Sequence, residues 1–196
     1  MRSTLRSTIT KNLQNVLWIY VTDNFVITRL SDFKMTEAAR KCEFIPIALD
    51  NYFRVRDFRS EDRVSEYEGK ITRKEIGFFA QCDGKMVGSI WATWNRTQAP
   101  TVARGHVRLE PNEALIHDIV TGENFRGMGV GPFMVGRIAS ALLGEYRVRK
   151  IIIDVNVKNH SSLRMMQKAG LQTNQRVFSV SAFGTLAYEK VLKLGA

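Results

Sequence analysis

The sequence is poor in the residues that build metal centres and covalent staples. It has three histidines and two cysteines in 196 residues. They form no C-x-x-C or paired-histidine spacing, so a structural or catalytic metal is not expected. Cys42 and Cys82 stand far apart and read as ordinary residues of a reduced, cytoplasmic protein. Proline is scarce as well, with four in the chain, and no linker, low-complexity tract or internal repeat divides it. No apolar run approaches the ~18 residues needed to span a bilayer. The basic start, Met1 to Lys11, and the short "VLWIYV" after it lack a cleavage site, so neither a signal peptide nor an anchor is expected. Residues 1–24 are therefore expected to form an N-terminal extension packed on one domain, 25–196.

What the chain does have is positive charge, unevenly spread. The formal net charge is +10. Counted from the sequence, residues 1–60 carry +4, residues 61–120 carry −1 and residues 121–196 carry +7. An anionic ligand or partner suits that last segment, although a solvated basic face would read the same way. No nucleic-acid motif accompanies the charge, so nucleic acid is not expected as a partner.

Hydrophobic periodicity gives the order of elements. "LWIYVTDNFVITRL" is β-branched and aromatic, one or two strands. "SDFKMTEAARKCEF" has a cap-like start and helical spacing through Phe33, Ala38 and Cys42. "EIGFFAQCDGKMVGSIWATW" predicts a hairpin turning at Asp83-Gly84. "ALIHDIVT" predicts a strand, and Val135, Ile138, Ala139, Leu142 and Tyr146 mark one face of a helix over 132–146. "RKIIIDVNV" is a buried strand, "NHSSLRMMQKAGL" a short capped helix, and two strands close the chain around Gly184. The fold class is α/β: a mixed, mostly antiparallel central sheet of six to seven strands flanked by helices.

Between the predicted strand and helix lies "NFRGMGVG", with glycines at alternate positions. Such a loop lets backbone amides approach a phosphate at a helix N-terminus. It lacks the Gly-Lys-Ser/Thr of nucleoside triphosphatases, and Pro132 replaces the third glycine of the dinucleotide fingerprint. It does match R-x-x-G-x-G through Arg126, Gly129 and Gly131, and a second pattern, N-x-x-(A/S)…G-(F/L), follows at Asn159, Ser162, Gly170 and Leu171. Together with "HDIVTGENFRG" before the loop, these motifs resemble the GNAT superfamily of N-acetyltransferases over Phe25 to the C-terminus.

The resemblance implies acetyl-CoA as co-substrate and no metal. Arg126, Gly127, Met128, Gly129, Val130 and Gly131 would hold its pyrophosphate. The backbone of Ile119, Val120 and Thr121 would pair with the amide-like pantetheine arm, and Asn159 and Ser162 would face it from the next helix. Taken alone, Asn159 reads equally as a helix N-cap. The reaction expected is direct attack by a primary amine, with an amino sugar favoured as the acceptor. That step needs a proton acceptor, and His117, Asp118 and Glu113 precede the loop on one strand, His117 ranking first. Trp91, Trp94, Tyr67 and Phe53 are candidates for the acceptor pocket, or simply core.

One departure is Met166, where many members of the superfamily carry a tyrosine that protonates the leaving thiolate. Ser161, Tyr188 or water could replace it. Two alternatives stay open beside acetyl transfer to a small amine: a long-chain acyl donor on acyl-CoA or an acidic acyl carrier protein, and a non-catalytic acyl-CoA-binding module. Under any of them assembly as a homodimer stays open.

Overall fold

The computed structural model describes residues 17–183 and 185–194. The turn expected around Gly184 and most of the N-terminal extension lie outside these residues. The strands are β1 (Leu17–Ile27), β2 (Cys42–Pro46), β3 (Ile76–Cys82), β4 (Lys85–Trp94), β5 (Thr101–Ala103), β6 (Val107–Leu109), β7 (Glu113–Thr121), β8 (Lys150–Asn156), β9 (Gln175–Ala182) and β10 (Thr185–Lys193). The α-helices are α1 (Val64–Thr72), α2 (Val130–Gly144) and α3 (His160–Lys168), with short 3-10 turns between.

Eight strands form one sheet in the order β10-β9-β1-β8-β7-β4-β3-β2, two more than the lower bound expected, and β5-β6 forms a separate hairpin. Every pairing among the described residues is antiparallel except β7 with β8. Ile151, Ile152 and Ile153 are buried on both faces of β8, as their continuous apolar run predicts. The side of the sheet carrying Phe25, Ile116, Ile151 and Ile153 packs on Val135, Ile138, Ala139 and Leu142 of α2. On the opposite side Leu115 and Ile152 pack under the β5-β6 hairpin.

Three expectations are corrected. Residues 17–24 are not an appendage: β1 runs through the boundary at 24/25 and pairs with both β8 and β9. The helix expected over 31–44 is absent. A 3-10 turn, Leu30–Asp32, is followed by irregular chain crossing the helical layer, where the Lys34 amide donates to the Ala169 carbonyl and the Ala39 amide to Met128. Phe33 is buried from this segment without helical geometry, so its spacing carried no periodicity. Finally, Cys42 and Cys82 are bonded to each other. They are opposite residues of the β2-β3 ladder, with Cα atoms 4.4 Å apart, so strand register overrides sequence distance. A reduced compartment no longer follows from cysteine usage.

Candidate functional site

The pairing of β7 with β8 ends at Ile116 and Ile153, and beyond it the two strands separate. On its other side β7 slips register against β4 between Val120 and His117, an extra residue being accommodated beside Asp118, whose φ is +46°. A bulge of this kind re-aims the strand that follows it. His117–Thr121 consequently run along an opening rather than through the sheet.

On the helical side that opening is a cleft of about 700 Å³. Of the eleven residues expected to hold the co-substrate, ten line it: Ile119, Val120, Thr121, Arg126, Gly127, Gly129, Val130, Gly131, Asn159 and Ser162. Met128 does not, its carbonyl being taken by the Ala39 amide. No side chain caps the N-terminus of α2, so the first-turn amides and the positive end of a 15-residue helix face this cleft.

The three glycines have different reasons. Gly127 and Gly129 have φ near +80°, which a side chain disfavours. A Cβ on Gly129 would not enter the cleft. It would sit 3.2 Å from the Glu37 carbonyl oxygen. Gly131 is ordinary helix, and its missing side chain makes room for Met165 at the edge of the cleft: a Cβ there would overlap the Met165 thioether and lie 4.0 Å from Thr121 Oγ1.

Sequence reasoning missed Arg164, Met165 and Lys168, which line the same cleft from α3. Arg164 and Lys168 stand at i and i+4, a spacing that puts both cations on one helix face. Asn159 serves as the N-cap, accepting from the Ser162 amide at 3.1 Å and the Ser161 hydroxyl at 2.9 Å, while lining the cleft. Met166 is fully buried in the core, so its position offers no leaving-group acid. Ser161 lines the cleft, whereas Tyr188 stands half-exposed on the edge strand β10.

On the hairpin side of the opening is a second cavity, about 740 Å³, bordered by Tyr20, Glu75, Thr93, Arg104, His106 and His117. Arg104 lies 3.0 Å from His117 Nδ1. A guanidinium can only donate, so Nδ1 accepts and the proton of the neutral ring sits on Nε2. Nε2 then donates to Thr93 Oγ1 at 2.9 Å. Burial, reinforced by Arg104 and Lys70, pushes His117 down to about 3. Its lone pair is thus already engaged, which works against the proton-acceptor role expected of it.

The other two expected bases are committed elsewhere. Asp118 accepts from Lys70 and pairs with Arg59 at 3.5 Å. Glu113 lies at the far end of β7, buried against Arg149 and Lys150 at 2.9 and 2.8 Å. Tyr67 and Trp91 are fully buried and pack edge to face, so they are core. Trp94 stacks under Arg96 and Phe53 under Arg56, neither bordering the cavity. Asp154 holds His106 Nε2 at 2.8 Å, and His106 Nδ1 donates to the Arg104 carbonyl. Burial lowers the His106 pKa, but the Asp154 contact outweighs it and the net shift is upward.

Among the described residues no group of three His, Cys, Asp or Glu is arranged to hold a metal, and no helix is long and apolar enough to cross a membrane.

Similar folds recur in solved structures at low identity. An acetyltransferase of the GNAT family from Colwellia psychrerythraea superposes with a TM-score of 0.58 at 13% identity, over 90% of this chain and 61% of that one. A GCN5-related N-acetyltransferase from Kribbella flavida gives 0.57 at 10% identity, over 89% and 63%. The chain therefore spans about three fifths of the length of these proteins. AAC(6')-Iy, in complex with the bisubstrate analogue CoA-S-monomethyl-acetylneamine, gives 0.53 at 15% identity, over 67% and 91%. Among curated proteins, none matches. The model of the acetyltransferase (GNAT) family matches residues 38–171, from the segment crossing the helices to the end of α3 and its Gly-Leu. With that match spanning most of the sheet and both walls of the cleft, the chain belongs to the GNAT acetyltransferase family.

Proposed function

We propose that the protein transfers the acetyl group of acetyl-CoA to a primary amine by direct attack, the two substrates meeting through the opening between β7 and β8. The observation that carries this is the position of that opening, with a phosphate cradle on one side and a polar cavity on the other. The cradle fits the donor: uncapped α2 amides together with Arg126, Arg164 and Lys168, all around one cleft, supply the charge and space a pyrophosphate needs. Acetyl-CoA supplies an activated acyl carbon on a thiol leaving group. The ammonium gives one proton to solvent, the neutral nitrogen forms the new C–N bond as the C–S bond breaks, and the second nitrogen-bound proton passes to the leaving thiolate, giving an amide and the CoA thiol.

Direct attack is supported by the cysteines, which are bonded together between β2 and β3 and line neither cavity. With its pKa depressed, His117 stays neutral and serves to hold Thr93 and Arg104 in place rather than to take the proton. An amino sugar remains an acceptor of the right class. AAC(6')-Iy and a fungal glucosamine N-acetyltransferase region, 14% identical with a TM-score of 0.57, are named for such chemistry. A cytoplasmic location is part of this reading through the supply of acetyl-CoA, not through cysteine usage.

One observation favours a second donor. A groove beside the cleft is bordered by Arg56, Arg59, Arg63 and Arg126 against Asp57 and Glu123, a net positive lining that suits an acidic acyl carrier protein. Calorimetry with CoA, followed by thiol release from acetyl-CoA and from long-chain acyl carrier donors over an amine panel, tests both. Micromolar CoA binding with acetyl turnover is expected. Absence of CoA binding would sink the proposal, and turnover confined to carrier-bound long chains would replace it with the second reading.

A further inference from the structure

The cavity under the hairpin contains one carboxylate satisfied on one oxygen alone and one guanidinium with no carboxylate partner among the described residues. Glu75 is nine-tenths buried there. Its Oε1 accepts from Arg73 at 2.8 Å, but Oε2 has no hydrogen-bond partner and lies 3.4 Å from His117 Nε2. A carboxylate oxygen left unpaired in a buried site costs about 1–3 kcal/mol or more, so a donor at that point would be a net gain. The His117 Nε2 proton is already given to Thr93.

At the other nitrogen of the same imidazole stands Arg104. It is permanently charged, and among the described residues it has no carboxylate partner, its side-chain hydrogen bond going to neutral His117. The remaining cations of the cavity are committed: Lys70 to Glu66 and Asp118, Arg73 to Glu75. Asp154, the other nearby carboxylate, is held by His106. What the cavity offers is therefore specific: an unpaired carboxylate oxygen at Glu75 and, one imidazole ring away, the guanidinium of the exposed Arg104 without a carboxylate. Arg104 opens the β5-β6 turn in the left-handed region, with φ +53°, so tight-turn geometry fixes where its side chain begins.

We infer that the acceptor is an amine that also carries a carboxylate, its ammonium held by Glu75 and its carboxylate by Arg104. Guanidinium and carboxylate match as a planar two-bond pair, which a neutral hydroxyl of a plain amino sugar would not satisfy equally. An α-amino acid or an amino sugar acid both meet the requirement. This inference rests on the acyl-transfer reading for the word acceptor, but the binding it describes does not need turnover.

The test is calorimetric binding to the free protein of matched pairs: lysine against cadaverine, and galactosaminuronic acid against galactosamine. Each carboxylated member is expected to bind at least tenfold more tightly than its partner. Arg104→Gln is expected to erase that difference, and Glu75→Gln to weaken every amine, with thermal melts establishing that both variants fold. Equal binding of paired ligands, no binding of either carboxylated amine, or a difference that survives in Arg104→Gln would overturn the inference. Carboxylate-dependent binding in a protein that fails to bind CoA would instead remove the acyl-transfer reading and leave the cavity's ligand class standing.

Discussion

Substituting the three loop glycines one at a time separates backbone strain from ligand space. Gly127→Ala puts a methyl into open solvent at φ +81°, and the left-handed penalty of roughly 1–2 kcal/mol is its whole cost. Gly129→Ala pays the same strain and drives its methyl to 3.2 Å from the Glu37 carbonyl, adding about 1 kcal/mol or more. Gly131→Ala pays no strain. Alanine gains up to about 1 kcal/mol over glycine inside a helix, which offsets the shift forced on the Met165 side chain. Its melting temperature should stay within a few degrees of the parent, at about 2–4 °C per kcal/mol for a chain of this size.

CoA affinity should follow the opposite order. A methyl on Gly131 displaces the Met165 thioether, which lines the cleft, into the space in front of the α2 amides. Loss of one or two charge-assisted hydrogen bonds at about 1.5–3 kcal/mol each weakens binding on the order of a hundredfold. Gly127→Ala should bind within a fewfold of the parent. Thermal melts and CoA calorimetry on the three variants give both numbers. If Gly131→Ala binds CoA normally, or Gly127→Ala loses as much affinity, the first turn of α2 is not the phosphate cradle and the reasoning fails.

Reduction of the Cys42–Cys82 bond, or the double serine variant, should lower stability by about 4 kcal/mol, the loop entropy for a separation of 40 residues, and the melting temperature by about 10 °C. An unchanged melt in reductant would refute this. Acid stability should report His117. Its folded pKa is depressed to about 3, so the unfolded chain takes up the proton first. Its contribution is complete above the unfolded value near 6.5 and is lost as pH falls toward 3, at about 1.4 kcal/mol per pH unit. His117→Gln should flatten the stability profile between pH 6 and 4, and a superimposable profile would show that another group is responsible.

The sequence located the cleft better than the groups around the second cavity. The "NFRGMGVG" loop, the strand before it and Asn159 are local signals: each depends on turn geometry, helix capping and short spacing, and ten of the eleven residues expected in the cleft line it. The same local logic failed at 31–44, where Phe33, Ala38 and Cys42 mimic a helical stripe along a segment whose amides are satisfied by α3 and the glycine loop instead.

Residue order determined the kinds of element, the buried strand at Ile151–Ile153 and the glycine turn before α2, because backbone conformation and periodicity are properties of neighbours along the chain. Tertiary structure alone decided the rest. Register set Cys42 against Cys82, and the separation of β7 from β8 aligned a cleft with a cavity. A hairpin remote in sequence from Glu75 brought Arg104 to the far side of the same histidine. Those are meetings between distant segments, and the charges left over when they meet can be counted only after the chain has folded.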